Sequence, residues 1–176
     1  TDRRHGLSVT LSAMTQHLFI LTGASRGMGL AMAEQLLAPG HTLLCISRQA
    51  NPKLAERAPA LGAQLMQWTE DLAQAEAVSQ RLLAWLQGQP GDGFASATLI
   101  NNAGVIPPIA PLSLSDPAEL AHALRVGLEA PMMLSAAFLS ATGNWTATRK
   151  ILNISSGLGR RAMASQSAYC AAKAGM

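Results

Sequence analysis

The sequence predicts a doubly wound α/β sheet, and three observations predict it. Short apolar runs alternate with longer helical stretches, the pattern of repeated βαβ units. A glycine-rich turn follows the first apolar run. Hydrophobic residues make up 49% of the 176 residues and charged ones only 13%, a balance that suits a parallel sheet covered on both faces. The strand order expected of such a sheet is 3-2-1-4-5.

In chain order, Leu18–Thr22 reads as a strand, Gly23–Gly29 as a turn opening a helix to about Ala38, and Pro39-Gly40 as its stop. Thr42–Ser47 is the second strand. A short helix near Pro52–Arg57 precedes the third strand, Gln64–Trp68. Asp71 reads as the N-cap of a helix through Gln87. Gly88–Gly93 is a loop and Ala97–Asn101 the fourth strand. Asp116 as cap and Pro117 at the first helical position start a long helix to about Ala141. Lys150–Ser155 is the fifth strand, and a further helix begins near Ser167.

Composition narrows the function class. Cys45 and Cys170 lie far apart and in no metal-ligand spacing, so reduced thiols, a cytoplasmic setting and no metal are expected. The net charge of +3 is slight, and the arginines are scattered apart from the Arg3-Arg4 and Arg160-Arg161 pairs. No nucleic-acid partner is therefore expected. No run reaches about 18 uncharged apolar residues, so no membrane span is expected. Residues 1–13 lack the apolar core of a signal peptide and read as a disordered leader, with the domain over 14–176.

The chemistry begins at Thr22-Gly23-Ala24-Ser25-Arg26-Gly27-Met28-Gly29, between the first strand and the first helix. Glycines there let the backbone turn tightly and let a pyrophosphate approach the peptide N–H groups, while the helix N-terminus adds partial positive charge. Three further patterns follow in order: Asn101-Asn102-Ala103-Gly104 at the end of the fourth strand, Ser155-Ser156 at the end of the fifth, and Tyr169-Cys170-Ala171-Ala172-Lys173. Ser156 precedes Tyr169, the only tyrosine, by 13 residues.

In this order and spacing the chain resembles the short-chain dehydrogenase/reductase family, from about Met14 to its last residue. The resemblance implies a Rossmann-type domain over 14–176 that transfers hydride between a nicotinamide cofactor and a small carbonyl or alcohol substrate. It implies catalytic roles for Ser156, Tyr169 and Lys173. It also implies cofactor contacts from Gly23, Ser25, Arg26, Gly27, Met28, Gly29, Ser47, Arg48, Asp71, Leu72, Asn102, Ala103, Gly104, Tyr169 and Lys173, and a homo-oligomer in the full-length protein. Family members are longer, so the C-terminal part of the family fold, with further strands and the substrate lid, is expected to be absent. The isolated 176 residues are accordingly expected to be poorly stable and nearly inactive, with Ile151, Leu152 and Ile154 on an unpaired edge.

The residue types suit that reaction. A carbonyl that receives hydride must take up a proton, and a tyrosine hydroxyl can donate it if the phenolate left behind is stabilised. Tyr169 and Lys173 are four apart, on one face of a helix, so the lysine cation can stabilise that phenolate. In the family the serine hydrogen-bonds the carbonyl oxygen, and the lysine also holds the ribose hydroxyls. Alternatives remain for each residue: an anchoring buried tyrosine, and a turn cap for Ser156. For the chain, the alternative is a nucleotide-binding module without turnover.

Cofactor choice is argued from charge. About 20 residues past the glycines, NAD-dependent enzymes place an acid on the ribose 2′-hydroxyl. Here Ser47-Arg48 stands there, and Arg26 adds a second cation, so NADP(H) is expected. Asp71 either contacts adenine or caps its helix. Pro107–Pro111 is expected to border the substrate cleft as a stiff loop. Met132, Met133, Leu134, Phe138 and Leu139 are expected in the core or a subunit interface, and His122 and Cys170 in packing. Gly127 stands where many family members carry a catalytic asparagine, which hints at a kink or close packing.

Overall fold

The computed structural model describes residues 15–176; the expected leader lies outside them. Five strands form one parallel sheet: β1 (His17–Thr22), β2 (His41–Ser47), β3 (Gln64–Thr69), β4 (Ser96–Asn101) and β5 (Thr148–Asn153), in the order β3-β2-β1-β4-β5. The expected order therefore holds. Residues alternate between the faces of a strand, and two apolar layers result. Leu18, Ile20, Leu44, Ile46, Ala97 and Leu99 pack on one side with α3 (Ala75–Gln87) and α5 (Ala130–Ala141). Leu21, Leu43, Cys45 and Ile100 pack on the other with α1 (Gly27–Leu36) and α2 (Pro52–Ala60). Both faces of the central strands are thus buried, which is why they read as unbroken apolar runs.

Three expectations shift. Asp71 is not the cap of α3: its carboxylate accepts from the Ala73 N–H at 3.0 Å, its carbonyl accepts from Gln74, and the helix begins only at Ala75. It closes a turn before the helix. β5 runs two residues earlier than the expected Lys150–Ser155, because Ser96 of β4 pairs with Thr148 and Asn101 with Asn153. Ser155 and Ser156 therefore lie beyond the strand. All residues of β5 are exposed at the sheet edge, whereas Ile154 is half-buried against the α1/α2 layer.

The third change is in the long helix. It begins as α4 (Pro117–Leu124), with Asp116 accepting from the Ala118 N–H at 2.9 Å, as expected. Across Arg125–Glu129 it widens into one π-helical turn, where the Ala130 N–H bonds to the Arg125 carbonyl. Pro131 supplies a cause: it has no N–H for the Gly127 carbonyl four residues back, and its ring crowds that carbonyl. Gly127 also packs tightly, for a Cβ there would lie 3.0 Å from Ala172 Cβ. The run Pro117–Ala141 has the length and apolar composition of a membrane-crossing helix. It carries Glu119, Arg125 and Glu129, however, and its Val126, Ala130, Leu134 and Phe138 are buried in the α3/α5 layer.

Candidate active site

The sheet order reverses at β1, whose neighbours are β2 and β4, and a cleft opens beyond the carboxyl ends of these strands. Thr22 ties the two sides together. Its hydroxyl oxygen accepts from the N–H groups of Asn102 and Ala103, both at 3.0 Å. The Asn102 side chain donates to the Thr22 carbonyl at 2.9 Å. The end of β4 is thereby held against the start of the glycine turn.

That turn is built by close approach. A Cβ on Gly29 would collide with the Gly23 carbonyl, and Gly27 adopts φ +57°, the left-handed region. The Ala24 N–H donates to the buried Ser47 hydroxyl at 2.8 Å, and the Asn51 amide to the Ser25 carbonyl at 3.2 Å. No side chain caps the start of α1, so its first N–H groups are left for a ligand, with the helix dipole behind them.

Every cofactor-contact residue expected from Gly23 through Gly104 lines one cleft of about 690 Å³. That volume suits a bound cofactor, for which cavities run to about 300–1,000 Å³. Arg26 and Arg48 are exposed at its edge. Two carboxylates also line it, Glu70 and Asp71, but Glu70 is paired with Arg81 and Asp71 with the Ala73 N–H. With open backbone donors at α1, apolar Leu72 and Val126, and cations at the rim, the residues fit a dinucleotide.

Tyr169, Lys173 and Ser156 are not part of that lining. They stand beside it, on α6 (Ser167–Gly175) and the segment after β5. Lys173 links the two groups: a Cβ at Gly104 would lie 3.6 Å from its Nζ. The amine is buried and donates to the Ile154 carbonyl at 2.7 Å, and it lies 6.0 Å from the centre of the half-buried Tyr169 ring. Burial holds the Lys173 amine below its usual pKa of 10.5. The Ser156 hydroxyl accepts from the Leu158 N–H at 3.2 Å, capping the turn Gly157–Gly159. The turn cap weighed for this serine is therefore present, and a hydroxyl that accepts still has its hydrogen to donate.

His122 and Val126 were missed in the sequence. Both line the cleft, one helical turn apart on α4 and the π turn, and His122 is therefore not the packing residue expected. The four-residue spacing was visible, but nothing local said which face of the helix meets the cleft. Pro107 and Pro108 border a second, adjoining cavity of about 470 Å³. Cys170 is buried, as expected. Leu134 and Phe138 are core, whereas Met132 and Leu139 are exposed.

Comparison with known proteins gives the same reading. The model of the short chain dehydrogenase family matches residues 17–176. The benzil reductase ((S)-benzoin forming) of Bacillus cereus is 32% identical over 157 residues, which is 89% of this chain and 63% of that protein. The chain thus spans less than two thirds of that relative's length. Among solved structures, a short-chain dehydrogenase/reductase from Burkholderia vietnamiensis is 40% identical with a TM-score of 0.77, covering 91% of this chain and 75% of that one. A metagenomic short-chain oxidoreductase in complex with NADP is 30% identical with a TM-score of 0.79, covering 93% and 72%. The chain belongs to the short-chain dehydrogenase/reductase family of oxidoreductases.

Proposed function

We propose that this chain carries the cofactor cleft and proton-donating residues of an NADPH-dependent reductase acting on a small carbonyl compound. The observation that carries the proposal is the approach of Lys173 to Gly104, which joins the α6 residues to the cleft floor. When bound, the nicotinamide supplies the hydride. The chain's own groups do the rest. The N–H groups at the start of α1 take the pyrophosphate, and Leu72 and Val126 flank the adenine. Lys173 has three N–H donors, of which the Ile154 carbonyl occupies one, leaving others for ribose hydroxyls.

Tyr169 donates a proton to the carbonyl oxygen, and the neighbouring Lys173 cation stabilises the phenolate. Ser156 accepts from Leu158 and points its own hydrogen to that oxygen. Gly127 offers no side chain to this relay, so the Ile154 carbonyl is what fixes the lysine amine. The benzil reductase relative supports a small carbonyl compound as the substrate class. Exposed Met132 and Leu139 on α5 agree with a homo-oligomer packed through that helix.

Preference for NADPH follows from Arg26 and Arg48 at the rim, with the two lining carboxylates engaged elsewhere. Calorimetry should find NADPH bound at least several-fold tighter than NADH. Arg48→Ala should narrow the gap by about tenfold, the loss of a charge-assisted hydrogen bond. Equal affinities in the unaltered protein, or an NADH preference, would contradict this reading.

A further inference from the structure

His122 belongs to none of the patterns that carry the reductase reading, yet it occupies a distinctive place. It is half-buried on α4 and lines both the main cleft and the adjoining cavity. Only Arg48 and Val105 share that position, so these three residues form the wall between the two spaces. Four residues after His122 comes Val126, on the same helix face and in the same cleft. His122 therefore lines the cleft together with Val126, and Arg48 shares both of its cavities.

We propose that His122 is a cofactor-specificity residue: with Arg48 it walls the adenosine end of the cleft, and its ring N–H donates to the 2′-phosphate, which favours NADPH over NADH. The proposal rests on the dinucleotide reading of the cleft. An imidazole ring carries at least one N–H donor, and a phosphate monoester is an ionised acceptor, which strengthens the hydrogen bond it takes.

Charged groups of both signs surround this wall, and Arg48 is the cation within it. Glu119, one turn earlier on α4, lines only the smaller cavity. Arg125 is exposed one turn later. Across the cleft, Glu70 is paired with Arg81 and Asp71 with the Ala73 N–H. The loop Ile106–Pro108 on the far side carries no charge. Helix α6, packed on α4, brings Tyr169, Cys170 and Lys173, and the lysine is bound to the Ile154 carbonyl.

The test compares NADPH and NADH dissociation constants for the unaltered protein, His122→Ala and His122→Gln, by calorimetry at a single pH. The NADPH-to-NADH affinity ratio should fall by about threefold or more in His122→Ala, the loss of a hydrogen bond to an ionised acceptor, with NADH affinity unchanged. His122→Gln, which keeps a side-chain N–H donor, should lose less. Matching ratios for the unaltered protein and His122→Ala would overturn the proposal and leave the cleft reading intact. Failure of the unaltered protein to bind either cofactor would overturn the cleft reading itself.

Discussion

Replacing Thr22 by valine removes one oxygen atom at nearly constant shape, and the structure says what that oxygen does. Thr22 is 2% exposed, and its hydroxyl accepts from two backbone N–H groups, those of Asn102 and Ala103. Valine leaves both donors facing a methyl group. An unsatisfied buried donor costs about 1–3 kcal/mol, and Asn102 and Ala103 are only half-buried, so water can recover part of the loss. We expect Thr22→Val to destabilise the protein by about 2–3 kcal/mol in urea unfolding. Thr22→Ser keeps the oxygen and loses one methyl group, which is worth about 1 kcal/mol. Because the two N–H groups belong to the loop that lines the cleft, Thr22→Val should also weaken NADPH binding more than Thr22→Ser does. If the valine variant proved as stable as the serine variant, the stitching of β1 to β4 through this hydroxyl would be refuted.

Two further predictions use the buried titratable groups. Burial lowers the Lys173 pKa below 10.5, so the unfolded chain binds this proton more tightly than the native one. The group's contribution to stability therefore rises with pH, up to about 10.5. Lys173→Met should abolish turnover without lowering stability at neutral pH, and its stability relative to the parent should decline as the pH is raised, read by urea titrations across that range. Cys45 is 2% exposed and its thiol is pushed up to about 12 from 9.0 by burial. The native state therefore keeps a proton that the unfolded chain loses above pH 9, and stability from this group falls between there and about 12. Iodoacetamide should accordingly label Cys45 only as fast as the protein unfolds; rapid labelling of the folded protein would contradict its place in the core.

The central strands were legible because their residues are buried on both faces and nothing competes with that apolar signal. The glycine turn was legible for a different reason: Gly29 tolerates no side chain and Gly27 has a positive φ, so the motif is written in residue identity. β5 was less legible. Its start, Thr148-Arg149-Lys150, is polar and exposed, and the apolar residues Ile151, Leu152 and Ile154 drew the expected strand two residues too far along. The π turn had a local signal in Pro131, but a proline followed by a strongly apolar helix reads as continuous until its missing hydrogen bond is counted. Asp71 carried an ambiguous signal, since an Asx turn and a helix cap use the same carboxylate bond to an N–H two residues on. The place of His122 was not written locally at all; it depends on which face of α4 meets the cleft.

The most direct measurement of the account is the rate of NADPH oxidation at saturating cofactor with a small diketone such as benzil, for the protein and its Tyr169→Phe variant. The account predicts turnover by the parent, a fall of about 100-fold or more in the variant, the range expected for loss of a general acid, and unchanged NADPH binding in both. Near-normal turnover by Tyr169→Phe, with binding intact, would contradict it.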